Sequence, residues 1–434
     1  MRILHIVFGL PPYANGGLPL YVEGLVSAQE ALGDEPMVLE PGAMNGKPGV
    51  RKLKMARHKV FRVMPALPVA YNFGVNEPMA YMKPIKKEIY RRFLEKVKPE
   101  VVHVHSLMGI HKEFFEVVKE MGIKIVMTTH DYYGLDLRAN FVDVEGRIYE
   151  DREPRKVAKR NYGLGVSTRK QVIMQTGLYK KIKNTMVLKK IRGAQRGKVA
   201  KGNSQIDVPD KVVSEYEKLL KYYDEIFEQI DYFLYNSTIT EKIYQRFINS
   251  KGEVLPLMLP GLKKTKHDKE KGTILRVGFI GRREKYKGVE ILTEAIGGEK
   301  DVEVLLYGDD FSEIAGGNIH NVGRFSRGDL PEILEKLDLI VVPSVWYETF
   351  SFSTLEALMA GVPVLVSTRV GAKDLLKGAP VNPIFEPEFK DLKRCFDEVM
   401  KEDNFGKYTE WVAGLQFATM NEHAIKVKEA YGRV

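Results

Sequence analysis

Short apolar runs alternate with longer stretches of helical period along most of the chain. Residues 3–8 form the first run, followed by a Gly/Pro-rich loop and a helical pattern over 20–32. Further apolar runs bounded by turn residues stand at 37–39, 60–64, 101–104 and 123–127, with helix-period segments over 82–97 and 109–121. Strands alternating with helices of this length predict βαβ units and a parallel sheet. A strand over 232–235 and a helix over 241–248 resume the series after an interruption. The stretch 256–265, with two prolines and a glycine, reads as a linker. A second series follows, with apolar runs at 274–280, 302–307, 319–322, 339–342 and 362–366 and a helical pattern after each. The expected fold is therefore α/β, with two doubly wound, Rossmann-like domains, 1–260 and 261–410, facing each other across a cleft. Ligands in open α/β sheets bind beyond the carboxyl ends of the strands, so both domains are expected to offer loops to that cleft.

The 434 residues, 44% of them hydrophobic, are enough for separate cores and exclude a disordered tail protein. The lone Cys395 excludes a disulfide framework and a zinc site of several thiolates, making a cytoplasmic location the expectation. No window approaches the ~20 apolar residues a membrane-crossing helix needs. The first apolar run, too short for a signal peptide's apolar core and closed by Pro11-Pro12, reads as a buried strand.

The net charge of +10 is unevenly placed. Residues 151–205 hold 16 Lys and Arg against two acids, a balance of +14 that leaves the rest of the chain near −4. Three readings of this basic insert stay open: a solvated arm, contact with an anionic membrane surface or lipid-linked acceptor, or another anionic partner. With Leu178 at zero on a helical wheel, Ile182 falls at ~40° and Met186 at ~80°, but Lys189 falls at ~20°, inside the apolar face. The segment is not a clean amphipathic helix, although a polybasic patch gains ~1 kcal/mol per cation near anionic lipid. Nucleic acid is not expected, because no recognition helix, zinc finger or paired aromatic motif accompanies the charge.

Candidate chemistry gathers at strand ends. Residues 343–363, PSVWYETFSFSTLEALMAGVP, follow an apolar strand, pass through a loop holding Glu348 and enter a helix near Ser353 that carries Glu356. Two carboxylates so spaced can reach different hydroxyls of one polyol. The amides of Phe350, Ser351 and Phe352 lie at a helix N-terminus, which favours an anion or a sugar oxygen. The plain alternative is acids placed for the helix dipole. In 277–288, VGFIGRREKYKG, a strand leads to a glycine turn with Arg282 and Lys287, which alone would read as solvated cations. Gly16 and Gly17 occupy the loop after the first strand, where a missing Cβ lets amides approach phosphate or sugar. His130 follows another strand. His103 and His105 share a strand face at a spacing that can suit a metal, but no third ligand is evident nearby, so a structural or acceptor-lining role is expected. Gly323, Arg324 and Phe325, and separately Gly371, stand at two further strand ends.

These motifs resemble the retaining glycosyltransferases of the GT-B fold, in particular family 4 (glycosyl transferases group 1). Pro343, Ser344, Glu348, Phe350, Glu356, Ala357, Gly361 and Pro363 match that family's PS…E-x-F…EA-x-x-x-G-x-P frame, and Gly281, Arg282, Lys287 and Gly288 match its Gly-Arg and Lys-Gly pair. One departure is Ser351, where the family usually has Gly. The cysteines that often follow the family's His-Asp are replaced by Leu135 and Asp136.

The resemblance implies a hexosyltransferase-type enzyme whose donor substrate is a nucleotide-diphosphate sugar, with no cofactor and no metal. Arg282 and Lys287 would meet the diphosphate and Glu356 the ribose, while Glu348 and the amides of Phe350, Ser351 and Phe352 meet the sugar. Gly323, Arg324 and Phe325 would lie beside the nucleobase, Gly371 near the diphosphate, and His130 at the sugar from the other domain. A final helix within 411–434 would cross back onto the first domain. The acceptor is expected to be a glycan, a lipid-linked or a small molecule, and the location cytoplasmic, with the inner membrane face one place for the insert. The alternatives are a nucleotide-sugar 2-epimerase of related fold and a non-catalytic nucleotide-sugar-binding protein.

Overall fold

The computed structural model describes residues 1–54, 56–70, 74–177, 179, 207–262, 264 and 274–434. The helical-wheel positions between Leu178 and Ile191, and the rest of the insert to 205, lie outside the described residues, as do 263 and 265 of the linker.

Two sheets organise the chain. The first contains β1 (Arg2–Ile6), β2 (Glu35–Pro41), β3 (Gly49–Lys52), β4 (Val60–Met64), β5 (Val101–Val104), β6 (Lys124–Thr128), β7 (Tyr232–Tyr235) and β8 (Gly252–Val254). Their order is β3-β4-β2-β1-β5-β6-β7-β8. All pairings are parallel except β3 with β4, where a charged edge strand folds back as a hairpin. The central strands β1, β5, β6 and β7 are buried on both faces, which is why they read as continuous apolar runs. Helices α1 (Gly17–Ala31), α2 (Lys87–Val97), α3 (Lys112–Glu120), α4 (Pro154–Asn161), α5 (Thr168–Met174), α6 (Asp210–Phe227) and α7 (Thr238–Phe247) belong to this half.

The second sheet contains β9 (Leu275–Ile280), β10 (Val302–Tyr307), β11 (Ile319–Gly323), β12 (Leu339–Val342), β13 (Val364–Ser367) and β14 (Ile384–Phe385). It is fully parallel in the order β11-β10-β9-β12-β13-β14. That is the doubly wound order, with its reversal between β9 and β12, where a crevice opens at the strands' carboxyl ends. Helices α8 (Val289–Ile296), α9 (Leu330–Lys336), α10 (Phe352–Met359), α11 (Phe389–Met400) and α12 (Glu402–Gly414) follow.

The last helix, α13 (Met420–Tyr431), packs against α1 of the first half. Tyr21 Oη lies 2.8 Å from His423 Nε2, and Lys428 Nζ 2.6 Å from the buried Asp34 carboxylate.

Several elements differ from the sequence pattern. The helix expected over 82–97 is a 3-10 turn, Pro78–Met82, and then α2 from Lys87, because Pro84 interrupts it. The helix expected from 109 begins at Lys112, since Gly109 sits at φ +82°. The insert contains α4 and α5, and the 18-residue α6 follows it without having been anticipated. No helix among the described residues is long and apolar enough to cross a membrane.

Candidate active site

The loops after β9 and β12 flank the reversal point of the second sheet, and specific contacts hold them together. Gly288 adopts φ +71°, and a Cβ there would fall 2.0 Å from the Pro343 carbonyl oxygen, so only glycine lets the two loops touch. Val345 N–H donates to the Tyr286 carbonyl at 2.9 Å. This contact sets Lys287 beside the second loop, where its ammonium lies 2.9 Å from Glu348 Oε1 and 5.4 Å from the centre of the Trp346 ring. Ser344 Oγ donates to Glu348 Oε2 at 2.5 Å. The Glu348 N–H donates to the Arg369 carbonyl at 2.9 Å, and its own carbonyl accepts from Gly371 N–H at 2.8 Å. Glu348 is therefore held at both its backbone and its side chain. Arg282, just past β9, is exposed; its carbonyl accepts from Glu284 N–H at 2.9 Å, while its guanidinium makes no hydrogen bond or ion pair among the described residues.

Glu356 faces a different partner. It lies buried on α10 with Oε1 2.7 Å from Arg327 Nη2, an arginine that sequence reasoning did not single out. Burial raises its carboxyl pKa above the ordinary range, and Arg327 opposes that shift. Farther out, Arg324 pairs with Asp309 at 2.7 Å, Phe325 meets the Tyr307 ring edge-on at 6.3 Å, and Gly323 turns the chain at φ +85°. The candidate residues therefore form three groups: Lys287 with Glu348, Glu356 with Arg327, and the Gly323–Phe325 turn with Asp309.

Ser351 gives a physical reason for the family's glycine. It stands at φ +96° and ψ +96° immediately before α10, a conformation that costs a residue with a Cβ about 1–3 kcal/mol. Its Oγ accepts from Thr354 Oγ1 at 3.0 Å. Ser351→Gly and Ser351→Ala both lose that hydroxyl, so their difference isolates the backbone. The glycine variant is expected to be more stable by about 1 kcal/mol, read from urea midpoints, and equal midpoints would show that the backbone is unstrained.

The first half closes the cleft from the opposite side. Gly17 begins α1 at such close range that a Cβ would lie 2.5 Å from the Phe352 ring. Phe352 in turn meets Phe350 edge-on, with centroids 5.7 Å apart. Gly16 precedes it at φ +128° with open space around it. The Thr349 hydroxyl donates to the His130 carbonyl at 2.9 Å, and Ser237 Oγ donates to the Thr349 carbonyl at 2.7 Å. Gly371 passes close enough that a Cβ would sit 2.5 Å from Ser237 Oγ. His130 lies partly exposed beside Tyr21, ring centroids 4.9 Å apart, and burial pulls its pKa down to about 3. Its neighbour Asp131 is pushed up to about 6, chiefly by burial, with the Tyr133 N–H opposing.

One expectation needs correction. His103 and His105 do have a third histidine nearby: with His5 on β1, one ring nitrogen from each of the three lies within 4.8 Å of the other two. The available signal was a polar residue in the middle of a buried apolar strand. Among the described residues, Trp346 Nε1, Tyr132 Oη and, next to Ser237, Asn236 Nδ2 are buried polar atoms without a hydrogen-bond partner.

Residues 274–393 match the family model described as glycosyl transferases group 1. An uncharacterized glycosyltransferase of Methanocaldococcus jannaschii is 31% identical over 112 residues, which cover 23% of this chain and 28% of the relative. Spore coat protein SA of Bacillus subtilis is 24% identical over 166 residues, covering 32% of this chain and 44% of the relative. The chain thus spans less than half the length of these curated relatives. Sucrose-phosphate synthase of Thermosynechococcus elongatus aligns over 100% of this chain and 98% of its own at 16% identity, with a TM-score of 0.58. The Anabaena protein HepE, solved in complex with UDP and glucose, aligns over 100% of both chains at 13% identity, with a TM-score of 0.55. The fold is that of the GT-B glycosyltransferases, and within it residues 274–393 are similar to the glycosyl transferases group 1 family.

Proposed function

We propose that the protein is a retaining glycosyltransferase of the family 4 kind, moving a sugar from a nucleotide-diphosphate donor to a glycan, lipid-linked or small-molecule acceptor. The observation that carries this is the pair of loops at the reversal point of the second sheet: Arg282, whose guanidinium is unpaired among the described residues, and a fixed Lys287 on one, Glu348 on the other, with Glu356 buried on the helix that follows. HepE holds UDP and glucose on the same fold, which supports a nucleoside diphosphate here.

In this reading Arg282 and Lys287 stabilise the negative charge on the departing diphosphate in place of a divalent metal. Glu356 accepts from the ribose hydroxyls once Arg327 gives way. Glu348 and the amides that follow it orient the sugar, and His130 meets it from the other side. The acceptor oxygen bonds to the anomeric carbon on the face from which the phosphate oxygen leaves, and that oxygen takes the acceptor proton.

The test is incubation with a panel of nucleotide sugars, with and without candidate acceptors, following free nucleoside diphosphate and the configuration of the new bond. Transfer with retention supports the reading. An isomerised donor without acceptor would make the protein an epimerase, and donor binding without release would make it a binding protein.

The insert bears on the acceptor side and not on the donor. Charge-neutral substitution of Arg169 and Lys170, both exposed on α5, is expected to leave nucleoside diphosphate affinity within twofold while weakening binding to vesicles of anionic lipid or to a lipid-linked acceptor. Titrations of the nucleotide and of vesicles on the same variant check this.

A further inference from the structure

His5, His103 and His105 meet in the core of the first half, with ring centroids 4.1–5.4 Å apart and every ring nitrogen paired. His5 Nε2 lies 2.7 Å from Gln29 Oε1, and His5 Nδ1 lies 3.0 Å from His105 Nε2. His105 Nδ1 lies 3.2 Å from His130 Nε2. His103 is bound separately, its Nδ1 2.8 Å from Tyr431 Oη and its Nε2 2.8 Å from Thr128 Oγ1.

The direction of these bonds follows from the orientation of the Gln29 carboxamide, which turns its oxygen to His5 and its nitrogen to Tyr431. A carboxamide oxygen only accepts, so His5 carries its proton on Nε2. A neutral imidazole has one ring proton, so His5 Nδ1 is bare and accepts from His105 Nε2–H. The same step leaves His105 Nδ1 bare and places the His130 proton on Nε2. Gln29 is oriented in turn by α13, because its Nε2 donates to Tyr431 Oη at 3.2 Å. Burial keeps these rings neutral near pH 7: His5 is pulled down to about 4, and His103 and His105 lie well below the ordinary histidine value.

We propose that Gln29, His5 and His105 form a buried chain of directed hydrogen bonds that holds His130 as its Nε2–H tautomer, leaving its Nδ1 as a bare acceptor at the cleft. His130 Nδ1 has no protein partner among the described residues. Gln29, His5 and His105 are positioning residues, and the last helix takes part through Tyr431. A bare nitrogen can accept from a sugar hydroxyl but cannot donate to a phosphate oxygen; this consequence rests on the function proposed above, whereas the tautomer does not. A metal at the three histidines would need three uncommitted lone pairs, and each is already used by a donor.

The test uses the full chain labelled with 15N at its nine histidines, with long-range 1H–15N spectra recorded at pH 7 without ligand and assigned by single histidine substitutions. The expected result is a protonated Nε2 and a bare Nδ1 for His130, and the same for His5 and His105. Gln29→Met removes the terminal acceptor at similar size and should let His130 populate both tautomers. A His130 proton on Nδ1 in the wild type, an imidazolium, or a single Nε2–H tautomer surviving in Gln29→Met would overturn the proposal. So would Zn²⁺ shifting the nitrogens of His5, His103 and His105 together, which would identify a metal site. None of these outcomes depends on whether the chain transfers sugar.

Discussion

Arg282→Ala and Lys287→Ala each lower turnover at saturating donor by about 10²–10³-fold, the usual loss when one preorganised stabiliser of developing charge is removed. The two losses separate in their effect on stability. Arg282 is exposed and its guanidinium has no protein partner among the described residues, so its removal should change the melting temperature little. Lys287 neutralises Glu348, whose side chain is only 13% exposed, and Lys287→Ala leaves that carboxylate with the Ser344 hydroxyl alone. That variant should lose stability as well as turnover. Arg282→Lys is expected to recover activity only in part, because a point charge replaces a planar fork that can hold two phosphate oxygens. Steady-state kinetics beside melting curves check all three, and near-wild-type turnover in both alanine variants would remove the basis for the site.

The second large effect is on stability in acid. His5, His111 and His423 are pulled down to about 4 and His130 to about 3, each chiefly by burial, and His103 and His105 shift the same way. Between pH 6.5 and about 4 the unfolded chain takes up protons at these positions while the folded chain does not. Stability is therefore fully present above pH 6.5 and falls as the pH drops through that window, by up to about 1.4 kcal/mol per pH unit for each histidine. Asp131 opposes this below about pH 6, because its raised folded pKa lets the native state bind a proton before the unfolded chain does. The net expectation is a loss of several kcal/mol between pH 6.5 and 5, measured by urea unfolding across that range. A flat profile would mean that these histidines reach solvent or a compensating charge.

Both sheets were legible because their central strands are buried on two faces and so read as unbroken apolar runs. The charged edge strand β3 gives no such signal, since it pairs with a strand on one edge only and its residues are half-buried or exposed. Helix α6 carries an apolar face of Tyr216, Leu219, Leu220, Tyr223, Ile226 and Phe227, but it follows directly on the basic insert and was passed over with it. The Glu348 to Glu356 frame could be read in the sequence because its spacing is local. Its partners could not: Arg327 meets Glu356 from 29 positions away, and Tyr431 meets Gln29 from 402 positions away. Such pairings depend on tertiary packing, and a polar residue inside an apolar strand, such as His5, is the trace they leave in sequence. Ser351 was legible only as a departure from the family's pattern, and its backbone angle supplies the reason.

The coupling of the two halves is as specific as the site itself. Thr238 N–H and Oγ1 both donate to the Asp374 carboxylate, at 2.6 and 2.7 Å, next to the Ser237 and Thr349 contact. The segment after Glu348 is thus gripped by the N-terminal turn of α7 in the first half, and His130 is tied to it through Thr349. The Glu348 loop of one half and His130 of the other are held in one register.

The most direct test of the central claim is titration of nucleoside diphosphates into the wild-type chain and into the Arg282→Ala/Lys287→Ala double variant, read by thermal unfolding. At one hundred times its dissociation constant, a nucleoside diphosphate should stabilise the wild type by about 2.7 kcal/mol, and the double variant should show little or none of that shift at the same concentration. Equal stabilisation of both proteins, or no stabilisation of the wild type by any nucleoside diphosphate, would contradict a donor site between the loops after β9 and β12.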